Sequence, residues 1–184
     1  MKYTFTLLCC SFILLTSAQQ LTIYRSYLLY TNGKGEVYDE LLDVKSDGAV
    51  LKLKKDGEKV EVECKTFWGC SYKDELFRVE PEKSTIMMLI NKGKICYYEN
   101  GESIMMMMKS GSDKVKISSG YDCCISLDLE KPLVAVPTPG LPVPKKPWKE
   151  FKDANPQLED LIDCMKDRER MDAIRDCVMK FEGK

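Results

Sequence analysis

The first apolar run, Phe5 to Leu15, is nearly unbroken, whereas later apolar residues alternate with polar ones. It follows Met1-Lys2 and leads into Thr16-Ser17-Ala18-Gln19, giving a charged start, an apolar middle and a small-x-small site. That order predicts a cleaved signal peptide over 1–18, and the run is shorter than the roughly 20 residues that cross a bilayer as a helix. Leu8 before Cys9 does not fit a lipoprotein start.

From 19 to 130 the pattern predicts a β-rich domain of short strands. Ile23 to Tyr30 is rich in aromatic and branched residues and ends at Asn32-Gly33, a strong turn pair. Val37 to Val44 follows, then Ser46-Asp47-Gly48. Leu51 and Leu53 alternate with Lys52 and Lys54, the period of a strand with one dry and one wet face, and Asp56-Gly57 turns into Val60 and Val62. Further strands are expected at Thr66–Tyr72, Leu76–Val79, Thr85–Ile90, Ile95–Tyr98, Ile104–Met108, Val115–Ile117 and Cys123–Leu127. The expected fold is α+β, mainly β: an antiparallel meander curling into a small barrel or sandwich, which would protect its edges.

Six of the eight prolines fall within 131–147, predicting an extended connector that spans roughly 50 Å at full extension. A helical element is expected over 148–184. Asn155-Pro156 reads as a helix start, and Leu158, Leu161, Ile162 and Met165 recur at helical spacing, as do Met171, Ile174, Val178 and Phe181. Along one straight helix Cys164 and Cys177 would lie about 20 Å apart, too far for a disulfide. A helical hairpin would let them meet, and it is the favoured reading.

Composition narrows the chemistry. Acidic residues (29) slightly outnumber basic ones (28), so no positive field favours nucleic acid. The chain contains no histidine, which removes the usual general base and the histidine-containing zinc sites. A carboxylate pair of the hydrolase type is the remaining catalytic option, and most acids sit among lysines as a solvated face would. Of nine cysteines, seven lie beyond the leader, an odd number that leaves at least one thiol over in an oxidising compartment.

Three clusters invite chemistry. Cys123-Cys124 is a candidate redox or soft-metal pair, although neighbouring strand residues point to opposite faces. Met105 to Met108, with Met87 and Met88, is a candidate Cu(I) donor set, although methionine is also an adaptable core filler. Trp68 and Arg78 are a candidate ligand or partner contact, with core aromatics as the alternative and Gly69 placed where another backbone approaches.

Phe67-Trp68-Gly69, Leu76-Phe77-Arg78-Val79 and Gly93-Lys94-Ile95-Cys96-Tyr97-Tyr98, after a signal peptide and before a helical tail, resemble uncharacterised exported proteins of Bacteroidetes. The resemblance covers about a third of the chain and implies an envelope location without an activity. The expectation is a secreted or periplasmic binding or structural module, not an enzyme, with no cofactor, no metal site and no transmembrane segment after cleavage. A copper or thiol-redox protein and a carboxylate hydrolase are the alternatives. The partner is an unspecified protein or envelope component, and the sequence sets no oligomeric state.

Overall fold

The computed structural model describes residues 20–45, 50–111, 123–138, 143–166 and 168–183. The leader, the Ser46-Asp47-Gly48 turn and the Val115–Ile117 strand lie outside the described residues. In chain order the elements are β1 (Leu21–Tyr24), α1 (Tyr27–Thr31), β2 (Glu36–Tyr38), β3 (Glu40–Lys45), β4 (Val50–Lys55) and β5 (Glu58–Glu63). There follow β6 (Gly69–Tyr72), β7 (Glu75–Val79), β8 (Ile86–Lys92), β9 (Cys96–Asn100) and α2 (Gly101–Ser110). The chain finishes with β10 (Cys123–Ser126), β11 (Val134–Ala135), α3 (Lys145–Ala154), α4 (Glu159–Met165) and α5 (Met171–Glu182).

The fold is α+β and mainly β. Eight strands form an antiparallel sheet in the order β11-β10-β9-β8-β7-β6-β1-β2, and β3, β4 and β5 form a second sheet. Among the described residues the large sheet stays open, with β11 and β2 at its ends, and does not close into a barrel. Turn chemistry sets much of the register. Lys55 opposes Glu58 across Asp56-Gly57, whose φ values of 52° and 85° suit a two-residue hairpin. Tyr72 opposes Glu75 in the same way, but there Lys73 and Asp74 hold φ of 51° and 66° without a glycine.

Strand alternation divides the interior into three apolar cores. Leu21, Ile23, Cys70, Phe77 and Ile86 of the large sheet meet Leu41, Leu51 and Leu53 of the small one. Farther along the same face, Ile95, Tyr97, Cys123 and Ile125 meet Leu158, Leu161, Ile174 and Val178 of the helical element. The opposite face carries Leu76, Met87, Cys96, Tyr98 and Cys124 under Leu129 and Leu133. Fully burying one such aliphatic or aromatic side chain is worth ~1.5–3 kcal/mol, so each core is a substantial share of the fold's stability.

Three expected strands are corrected. Ile104–Met108 lies within helix α2, and nothing in four consecutive methionines imposes a period of two, while methionine is a good helix former. The helix places Met105, Met106 and Met108 against one core, alongside Met88, whereas Met87 faces the opposite one. Ile23–Tyr30 ends as a strand at Tyr24, because Ser26 caps α1 by accepting a hydrogen bond from Leu29 N at 3.3 Å. Asn32-Gly33 then closes that helix. Val37–Val44 breaks at Asp39, whose N–H donates to Lys54 O at 2.8 Å as the chain passes from one sheet to the other.

Inside the proline-rich stretch, Val134–Ala135 pairs with β10, and α3 begins at Lys145 with Pro147 in its first turn, where the missing N–H leaves no bond unmade. Helices α4 and α5 are separate and joined by the Cys164–Cys177 disulfide, with Cα atoms 5.7 Å apart. The pair docks on the sheet. Arg175 grips the buried Glu99 carboxylate through Nε at 2.7 Å and Nη2 at 2.5 Å, and Glu182 accepts from Lys94 N and Ile95 N at 3.0 and 3.1 Å. No helix among the described residues is long and apolar enough to cross a membrane.

Candidate functional site

Trp68 and Arg78 are brought into contact. Trp68 sits just before β6, its N–H donating to Tyr24 O at 3.0 Å and its carbonyl accepting from Val79 N at 3.2 Å. Gly69 pairs with Arg78 in the ladder, and a Cβ on Gly69 would come within 2.5 Å of Phe77 O, so a close approach of backbones requires glycine there. The Arg78 guanidinium lies 4.2 Å above the Trp68 ring centroid, within cation–π range. Arg78 is 4% exposed. Its Nη1 donates to Leu129 O, and its Nη2 to Lys131 O at 3.4 Å, so it pins the segment after β10 to the sheet. Burial pulls its pKa down and the neighbouring Tyr98 opposes that, and arginine keeps its charge throughout the working range of proteins. Trp68 Nε1 and Arg78 Nε are buried donors that find no acceptor among the described residues.

Helix α1 extends this aromatic group to the surface. Tyr27 and Tyr30 lie 5.5 and 5.1 Å from Trp68 between ring centroids, and Tyr24 meets Tyr30 edge-on at 5.2 Å. None of the helix's five residues is buried, and Leu28 is 67% exposed. Beside it Arg25 bridges Glu36, at 3.0 and 3.3 Å, and Thr66 Oγ1 at 3.1 Å. Both sites are solvent-facing. The result is a rigid aromatic floor with one apolar side chain standing out from it.

The sulfur atoms are distributed. Cys123 belongs to the core under the helices and Cys124 to the core on the opposite face, so the adjacent pair serves two environments. Burial pushes the Cys70 thiol up to about 12, raises Cys124 well above the ordinary thiol range and raises Cys96, although Tyr98 and Ser126 oppose the last shift. Thiols held protonated at neutral pH are poor nucleophiles. Two buried carboxylates also have structural work: Glu99 on Arg175, and Glu80 accepting from Glu82 N and Lys83 N at 2.9 and 2.8 Å. Burial raises the pKa of Glu80, and those two N–H bonds counter it.

An expected strand over Ile23–Tyr30 hides the α1 tyrosines as surface groups; their signal is Ser26 as a helix cap, followed by Tyr27 and Tyr30 at i, i+3. It also gave no hint of a groove of about 390 Å³ between the segment after β11, α3 and α4. Comparison with protein-family models, with curated proteins and with solved structures finds no match to this chain.

Proposed function

We propose that this chain is an exported, non-catalytic binding module of the cell envelope, and that it meets a protein partner through the aromatic face around α1. The observation that carries the reading is the placement of Tyr27, Tyr30 and Trp68 around a helix whose Leu28 projects into solvent. Tyrosine, tryptophan and arginine on a rigid support are the residues that dominate protein interfaces, because they bury much area while losing little conformational freedom. Export is supported by the leader pattern, the Cys164–Cys177 disulfide and the resemblance to exported Bacteroidetes proteins. The shared core between the two sheets supports a sandwich-like reading of the β part.

The test is a photo-crosslinking amino acid placed at Leu28 in the exported chain, with the same residue at the exposed Lys146 of α3 as reference. A discrete adduct at Leu28, absent at Lys146 and lost on Tyr27→Ala, is the expected result. Equal labelling at both positions, or none at Leu28, overturns the reading.

A further inference from the structure

The groove beside α3 stands at the other end of the large sheet from α1, against the last strand and the helices. Trp148 and Ile162, both partly buried, provide its apolar wall with the buried Val136 and Met165 behind them, and Lys152, Asp163 and Lys166 stand around it. Its volume of about 390 Å³ falls in the range of small-molecule sites, roughly 300–1,000 Å³. Trp148 is held as a flat wall by stacking on Phe151, with ring centroids 6.0 Å apart and planes 13° from parallel.

The charges around this groove are unusual for their own helices. On α3, Lys146 pairs with Glu150 at 3.8 Å and Lys149 with Asp153 at 3.9 Å, each one turn on. Lys152 has no such neighbour: the residue one turn before it is Trp148 and one turn after it is Pro156. It therefore shares the groove face with Trp148. Lys166 follows Asp163 by three residues, yet among the described residues neither it nor Lys152 closes an ion pair with Asp163. Among the described residues the charged side chains around the groove are thus two ammonium groups and one carboxylate, one positive charge in excess.

We propose that this groove binds a small organic carboxylate, its hydrocarbon body against Trp148 and Ile162 and its anionic end between Lys152 and Lys166. The site is independent of the aromatic face around α1. A neutral ligand of the same shape gains the apolar contact but leaves the two lysines as they were, so charge is the discriminating feature.

Titration of the mature, disulfide-intact protein with octanoate, and in parallel with octanol, tests this by calorimetry and by tryptophan emission. Octanoate is expected to bind saturably below the millimolar range and about tenfold or more tighter than octanol, the ratio that ~1.4 kcal/mol supplies. The Lys152→Gln, Lys166→Gln double variant, altered only at exposed positions, is expected to lose that preference while binding octanol as before. Ile162→Trp fills the groove and is expected to abolish both signals while cooperative unfolding is retained. Absence of a saturable signal through the millimolar range, or equal binding of the two probes with no effect of the lysine variant, overturns the proposal.

Discussion

Glu182 sets its carboxylate directly over Gly93, where an added Cβ would lie 2.2 Å from Oε2. The two residues belong to the last helix and to the β8–β9 turn, and the carboxylate accepts both Lys94 N and Ile95 N there. A methyl group at 93 would expel the carboxylate and break both bonds. We expect Gly93→Ala and Glu182→Ala each to cost about 1–3 kcal/mol, and the double variant to cost little more than either alone. Urea unfolding of the four proteins checks this, and full additivity would mean that the two residues do not share one contact.

Arg78 is expected to be far less replaceable than its charge suggests. Lysine can neither lie flat on Trp68 nor reach Leu129 O and Lys131 O from one planar group. Arg78→Lys should therefore destabilise by about 2 kcal/mol and increase amide exchange in residues 129–131. An unchanged exchange pattern would show that the guanidinium does not anchor that segment.

Alkaline stability follows from the buried thiols and tyrosines. The folded pKa of Cys70 stands at about 12 and those of Cys124, Tyr97 and Tyr98 are also raised by burial. Above their unfolded values, near 9 for cysteine and 10 for tyrosine, the unfolded chain binds fewer protons than the folded one. Stability is then fully present below about pH 9 and is lost as pH rises towards 12, by up to ~1.4 kcal/mol per pH unit for each group. Urea midpoints should hold from pH 8 to about 9 and fall from there to pH 11, and Cys70→Ala should make the decline shallower.

Thiol accounting gives a direct check on the covalent structure. Cleaved after Ala18, the chain keeps seven cysteines, of which Cys164 and Cys177 are bonded to each other. Alkylation in denaturant is expected to add two more groups after reduction than before it, those of Cys164 and Cys177. Native alkylation of Cys70, Cys96 and Cys124 at neutral pH should be slow, since all three are buried. Removing the bridge by Cys164→Ala with Cys177→Ala is expected to cost about 3 kcal/mol, measured by urea unfolding.

The legible parts of the fold were those with local causes. Asp56-Gly57 specifies its hairpin by the φ values it tolerates, Leu51 and Leu53 declare their buried face by alternation, and Asn155-Pro156 starts the turn that leads into α4. The split of the helical tail, and so the disulfide, followed from helix rise against bond reach. The errors arose where local pattern is silent. Four methionines fit strand and helix alike, and as a helix they set Met105, Met106 and Met108 against a core built from residues far away in sequence. At the candidate site, Trp68 and Arg78 were legible as residues, but their stacking depends on the β6–β7 register. The groove at Lys152 depends on three separate segments and had no signature at all.

From β6 to β11 every neighbour in the large sheet is the next strand in sequence, whereas β1 is inserted between β2 and β6. Leu21 therefore finds its partner Tyr72 only after roughly 50 further residues have been made. Strand β1 pairs early with β2 on one edge and keeps the other open across that stretch, although Leu21 and Ile23 end with no exposed surface. During synthesis its apolar edge waits for a mate, and the small β3–β4–β5 sheet, complete within its own stretch, can assemble first. The strand order gives the nascent chain a period of vulnerability that ends when β6 arrives.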